Sequence, residues 1–242
     1  MRIDSLFLRP GYTNAVALSV EELNTIRDMV RESIRRLTGL PIKSLEEYSD
    51  LSSLVDHRKL SDKRVRLFKS SEVDFIKRTL CFRDLDESFC GVQITNEELR
   101  GEPEIYWRAV RPNESGDVGP MHADSWFWQL GIGAIDSERC RIKYWVQIAG
   151  DEPGLCFVPD SHLFDFSYNS FVSNGKSKPV FAGDVAEDEV IQWPNKLGHG
   201  IVFNDRLLHG GRVSEQTARF SFEFTFTATR ESVLSRLGSR CF

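Results

Sequence analysis

From Arg219 to Phe226 the chain alternates without a break, Arg219, Ser221, Glu223 and Thr225 interleaved with Phe220, Phe222, Phe224 and Phe226. A period of two belongs to a β-strand, whose successive side chains leave on opposite faces, whereas a helix would scatter the four rings around its surface. The phenylalanine row predicts a core-facing side. The polar row is too orderly for a water-facing surface and predicts a lumen. A chain with such a strand needs one partner layer for its aromatic face and an enclosed space for its polar one.

The rest of the chain divides to suit. Ser19-Val20-Glu21-Glu22 reads as a capping box, and Leu23, Ile26, Val30, Ile34 and Leu37 follow at helical spacing until Gly39 and Pro41 end the run. Arg27, Asp28, Arg31, Glu32, Arg35 and Arg36 form its solvated face. Residues 43–100 are charged and broken, with helical patterns around Ser44 to Arg58 and Ser70 to Leu80, and predict two or three helices. His57 reads as an exposed residue. Arg58, Lys59, Lys63, Arg64 and Arg66 read as a solvated basic face, with a lid or a grip on an anionic substrate as the alternative. From Glu104 the texture turns to strands: Ile105 to Arg111 closed by Pro112, Arg141 to Ala149, and Gly200 to Phe203. Residues 163–190 lack a clear period and predict a long connection over the site. With 242 residues and 40% hydrophobic content, one core of good size is affordable, so a single domain over 1–242 is expected, helical over 1–100 and β-rich over 101–230, with a tail at 231–242.

Chemistry enters with Met121-His122-Ala123-Asp124. A His and an Asp two residues apart on an extended segment point the same way, as two ligands of one metal ion must. His209 supplies a distant third. Five histidines put some near acids by chance, so the triad alone does not decide; Arg219, ten residues past His209, does. Two His and a carboxylate leave three positions on an iron ion open, and an arginine in the same pocket can grip the far carboxylate of a keto acid through paired charge-assisted hydrogen bonds. His199 is a rival third ligand, but no arginine lies ten residues beyond it.

These residues, with Tyr144-Trp145-Val146-Gln147-Ile148, Gly154 to His162, Gly200 to Phe203 and Arg219-x-Ser221, occur in the order and at the separations of the Fe(II)/2-oxoglutarate-dependent dioxygenases, and the chain resembles their phytanoyl-CoA dioxygenase-like group over about residues 96 to 230. Gln147 and Asp160 depart from that group's usual pattern. The resemblance implies a mainly β fold with α additions: a double-stranded β-helix, or cupin-like jelly roll, with N-terminal helices packed on one sheet. It implies Fe(II) held by His122, Asp124 and His209, with O2 and 2-oxoglutarate as co-substrates. Arg219 and Ser221 would bind the far carboxylate of 2-oxoglutarate, Trp145 would flank it, and Gln147 would hydrogen-bond to it or to the substrate. His162 would fix its loop. Candidate substrate residues are Trp126, Lys143, Glu223 and Arg108; Arg108 reads equally as outward-facing or as a buried charge that needs the co-substrate, the substrate or a carboxylate such as Glu223 for a partner. Trp126 and its neighbours Phe127 and Trp128 read as core, because large aromatics are usually buried, with the substrate mouth as the alternative.

The expected reaction is hydroxylation of an unactivated carbon of a small polar metabolite or biosynthetic intermediate, with release of succinate and CO2. Asp124 opposes halogenation, which would need a small residue there. Two rivals are a metal-dependent cupin that does not use 2-oxoglutarate and a non-catalytic binding barrel. The net charge of −5 and the lack of a basic stripe argue against nucleic acid as a partner. The five cysteines show no metal or disulfide spacing and read as reduced thiols. No apolar stretch of about twenty residues and no signal-peptide pattern occur, so a cytoplasmic monomer or homodimer is expected.

Overall fold

The computed structural model describes residues 1, 4–97, 101–131, 138–173 and 176–237. Eleven strands lie among them: β1 (Tyr12–Asn14), β2 (Gln93–Ile94), β3 (Tyr106–Val110), β4 (Arg139–Ala149), β5 (Leu155–Phe157), β6 (Tyr168–Ser173), β7 (Lys176–Phe181), β8 (Ile191–Gln192), β9 (Gly200–Asn204), β10 (His209–Gly211) and β11 (Arg219–Thr229). The larger sheet is antiparallel in the order β1-β9-β4-β11, with β3 and then β2 along the far edge of β11. The smaller sheet runs β10-β5-β8. Trp145, Ile201 and Phe203 of the larger sheet meet Leu155 and Phe157 of the smaller one in a shared apolar cluster. Two antiparallel sheets face to face around a polar lumen make the double-stranded β-helix.

The alternation in β11 sorts as expected. Phe220, Phe222, Phe224 and Phe226 are fully or almost fully buried against the helical layer. Each meets its own aromatic from the N-terminal segment: Tyr48 at 5.4 Å from Phe220, Phe68 at 6.0 Å from Phe222, Phe82 at 6.0 Å from Phe224 and Phe89 at 5.2 Å from Phe226. Ring pairs at these separations add a fraction of a kcal/mol to about 1.5 kcal/mol each beyond the area they bury. The helix Val20–Thr38 completes this layer through Ile26, Val30 and Ile34. Ser19 and Glu22 form the reciprocal capping box, and Gly39 closes the helix at φ 77°.

Several expectations change. Residues 44–66 form only short turns, Tyr48–Leu51, Ser52–Leu54, Arg58–Ser61 and Lys63–Arg66, before the regular helices Ser70–Lys77 and Leu80–Ser88. His57 is not exposed: its ring is about nine-tenths buried, its Nε2 hydrogen-bonds the Tyr48 hydroxyl, and its Nδ1 lies 3.9 Å from Asp117. The basic run is not one solvated face, since Lys63 pairs with Glu97 and Arg66 donates to the Trp107 carbonyl. Arg27 also leaves its solvated row and donates to the Ile148 carbonyl at 3.0 Å, where the β4–β11 register slips by one residue and Ile148 has no partner across the ladder. Residues 163–190 are not a featureless connection, because β6 and β7 pair as a hairpin. β1 and β2 show that the helical N-terminal part also contributes two sheet strands. Cys81, Cys90, Cys140 and Cys156 are free thiols; Cys241 and the end of the expected tail lie outside the described residues. Among the described residues, no helix is long and apolar enough to cross a membrane.

Candidate active site

The candidate metal-binding side chains sit where a loop meets the edge of the smaller sheet. His122 and His209 form an isolated antiparallel bridge and exchange two backbone hydrogen bonds of 2.9 Å, which sets the two rings side by side at 4.5 Å. Asp124 arrives by a different route from the expected extended one. The chain turns helical at Asp124 (φ −61°, ψ −31°) into the turn Ser125–Gln129, and Ser125 N–H donates to the Asp205 carbonyl at 2.8 Å. One ligand atom from each of His122, Asp124 and His209 then lies within 4.8 Å of the others.

The donor set fits a divalent cation. Nδ1 of His122 lies 2.7 Å from the Pro120 carbonyl and Nδ1 of His209 lies 2.9 Å from that of Leu207. A carbonyl can only accept, so each Nδ1 carries the proton and each Nε2 keeps its lone pair for a metal. Those Nε2 atoms are 3.5 and 3.8 Å from Asp124 Oδ1, too long for good hydrogen bonds and suited to atoms sharing one ion. Asp124 Oδ2 is buried without a hydrogen-bond partner. Burial pushes the His209 ring down to about 4, which keeps it neutral at pH 7. For Asp124 burial works against the charge, yet Lys143, His209 and His122 hold the carboxyl well below its usual range.

Arg219 opens β11 on the lumen side. It is buried, its Nη1 donates to Ser221 Oγ at 3.3 Å, and its buried Nε has no partner. Trp145 faces the guanidinium at 5.8 Å. Gly154 makes room for the stem, since a Cβ there would come within 1.9 Å of Arg219 Cδ. Burial, reinforced by the charge of Arg108, pushes Arg219 down to about 9. An uncompensated buried guanidinium is costly, and its open fork matches a carboxylate.

Gln147 lies beside this cradle and is fully engaged by the protein. Its Nε2 donates to Gly150 O, Glu152 O and Asn195 Oδ1, and its Oε1 accepts from Gly154 N–H. It therefore holds the turn that carries Gly154 past Arg219. Lys143, on the same face of β4, donates to Tyr106 OH at 2.9 Å and lies 3.6 Å from both Asp124 Oδ2 and Glu223 Oε2. Glu223 also takes Arg108 at 3.3 Å, and the Arg108 side chain is partly exposed rather than fully buried. Burial would raise Glu223, but Lys143 and Arg108 hold it down to about 2.

Trp126 joins the two readings of its aromatic run: only 6% exposed, it stacks on Tyr168 at 4.9 Å and lines a cavity of about 410 Å³ with Ser125, Arg141, Phe166 and Asp205. His162 is buried on its loop, where a Cβ on Gly11 would meet its ring at 2.4 Å. Tyr106 was missed, although its place two residues before Arg108 puts it on the same face of β3. The Arg141–Asp205 pair, 3.0 Å apart, had no local signal, because Asp205 follows the end of β9.

Comparison with known proteins agrees with this architecture. The non-haem monooxygenase ThoJ in its apo form superposes with a TM-score of 0.61 at 17% identity, covering 93% of this chain and 77% of that one. EvdO2 from Micromonospora carbonacea var. aurantiaca complexed with 2-oxoglutarate gives 0.59 at 14% identity, covering 94% and 90%. EctD from S. alaskensis with 2-oxoglutarate and 5-hydroxyectoine gives 0.55 at 15% identity, covering 94% and 75%. At these identities the likeness is one of fold. No curated protein matches the sequence. The phytanoyl-CoA dioxygenase (PhyH) family profile, by contrast, matches residues 11–220, and a match over that much of the chain means that the protein belongs to the PhyH family of non-haem iron(II), 2-oxoglutarate-dependent oxygenases.

Proposed function

We propose that His122, Asp124 and His209 hold the iron, that Arg219 and Ser221 hold the far carboxylate of 2-oxoglutarate, and that the protein hydroxylates an unactivated carbon of a small polar substrate. The carrying observation is the buried Arg219 guanidinium, with Nε unpaired and Ser221 at its side, in the same lumen as the triad. A cupin that does not use 2-oxoglutarate would have no use for that charge. The solved complexes of EvdO2 and EctD with 2-oxoglutarate support the same co-substrate here.

Iron with 2-oxoglutarate and O2 supplies the oxidising power, releasing succinate and CO2. The chain's own residues do the rest. Backbone carbonyls fix both imidazoles through Nδ1, so that each Nε2 lone pair would be available to hold the ion. Lys143 steadies the Asp124 carboxylate and shares its charge with Glu223. Gln147 positions the Gly154 turn against Arg219, and Trp145 forms an apolar wall that keeps water from the co-substrate site. Asp124 fills the ligand position that a halogenase would leave to chloride, so hydroxylation is the outcome it favours. Trp126, Lys143, Arg108 and Glu223 border the space for the substrate. A net charge of −5 favours a small-molecule partner over nucleic acid, and we place the protein in the cytoplasm as a monomer or homodimer.

Anaerobic addition of Fe(II) and 2-oxoglutarate to the intact protein should give a weak visible metal-to-ligand band. Absence of the band would overturn this assignment.

A further inference from the structure

Beside Arg108, which borders the substrate space, the chemistry above leaves two further cations, Arg66 and Lys178, without a role. Arg108 leans from the lumen toward solvent, with its side chain 32% exposed while its partner Glu223 is 10% exposed. Arg66 comes from the preceding segment and spends Nη1 on the carbonyl of Trp107, the neighbour of Arg108 in β3, while its buried Nε has no partner. Lys178 comes from the opposite direction, on β7. Its hairpin is anchored over the metal loop by Phe181 N–H to Met121 O at 2.9 Å and by the Tyr168 ring on Trp126. There burial first, and then the charges of Arg108 and Arg66, disfavour the charge of Lys178, and burial followed by the charge of Arg108 does the same to Arg66.

The neighbouring carboxylates are committed elsewhere. Glu223 is shared between Arg108 and Lys143. Lys63 faces Glu97 and Glu104, Asp62 is held by Arg64, and Asp124 belongs to the metal triad. Iron, Asp124, doubly charged 2-oxoglutarate and Arg219 together sum to zero. Three like charges brought together from three separate segments, with one shared carboxylate among them, attract an anion and penalise a cation.

We propose that Arg66, Arg108 and Lys178 form an anion-binding rim, and that the substrate carries a carboxylate or phosphate group held there while the carbon to be oxidised points inward past Glu223. This rests on the oxygenase reading given above. The hairpin β6–β7 then acts as a specificity element, delivering the third cation. Of the basic run in the N-terminal segment, Arg66 is the member that serves this rim.

Equilibrium dialysis of the intact protein, loaded anaerobically with Fe(II) and 2-oxoglutarate, against radiolabelled sulfate and acetate tests the rim. Wild type should retain at least one of the two, sulfate if the natural group is phosphate-like and acetate if it is a carboxylate. Lys178→Gln and Arg66→Gln should each loosen that anion about tenfold, while the exposed control Lys59→Gln leaves it unchanged. Retention of neither anion, or equal retention by all variants, would overturn the proposal. Succinate release measured on matched pairs, an acid against its amide and a phosphomonoester against its alcohol, should favour the anionic member at least tenfold; equal rates would overturn it as well. The visible band of the loaded protein reads the metal and co-substrate end separately, so its loss would fall on that assignment and loss of anion binding on this one.

Discussion

Along β11 neighbouring side chains are hidden from water to nearly the same degree, with Phe220, Phe222 and Phe224 at 0–1% exposure and Arg219, Ser221 and Glu223 at 0–7%. Burial nevertheless does opposite things on the two faces. On the helix side each ring removes apolar surface from water and meets a second ring, so every residue adds to stability. On the lumen side burial strips solvent from charges that have incomplete partners: Arg219 with an idle Nε and Asp124 with an idle Oδ2. That face is held in place by the packing of the other. The strand thus separates the source of stability from the seat of chemistry by one residue step.

The sharpest break of this comparison is Asp124→Ala. It should abolish iron-dependent succinate formation and the visible band while circular dichroism stays native, because it removes a ligand and no packing. Phe222→Ala strikes the other face and should destabilise the fold by about 3–5 kcal/mol, as large-to-small changes at buried rings do; equilibrium urea unfolding reads this. A loss below about 1 kcal/mol would show that the helical layer can collapse onto the gap and that the aromatic face is not what holds the strand. Arg219→Ala should weaken 2-oxoglutarate by about 1.5–3 kcal/mol, the worth of hydrogen bonds to a charged group, with no loss in the urea midpoint. Unchanged affinity in a titration of the anaerobic band would remove Arg219 from the site.

The smallest effect lies where the helical layer meets β11 near Arg219. Tyr48 packs on Phe220 and hydrogen-bonds His57, and burial, with the charge of Arg111, lowers the pKa of His57 below its usual value. A neutral ring is favoured in the folded state, so its stabilisation is fully present above the unfolded pKa of about 6.5 and is lost as pH falls below it. Urea unfolding from pH 7.5 to 5 should therefore show a steeper decline for wild type than for His57→Gln. Parallel curves would mean that His57 titrates alike in both states.

What could be read in advance was written in short stretches of chain. The Ser19/Glu22 capping box, the period of two in β11 and the interval from His209 to Arg219 depend on residues close in sequence, whose geometry follows from helix and strand periodicity. The triad was legible in residue type, although Asp124 reaches it through a helical turn rather than an extended one. His57, Gln147 and Arg66 were harder, since their burial or bonding partners come from segments that only folding brings near. The hairpin β6–β7 escaped notice because Phe171 and Val172 are both exposed, so no one-sided burial impressed an alternation on its composition.

By itself, then, the sequence determined a strand with one apolar and one polar face, a helix to cover the first, and three candidate ligands with an arginine for the second. Only the tertiary structure decided how those faces are completed. It set the His122–His209 bridge that fixes the geometry of the candidate ligands, the Gly154 turn that Gln147 locks beside Arg219, and the placing of Arg66 against the Trp107 carbonyl beside Arg108. The physical reason is that periodicity and capping act within a few residues, whereas a buried charge is defined by whatever distant groups the fold places within a few ångströms of it.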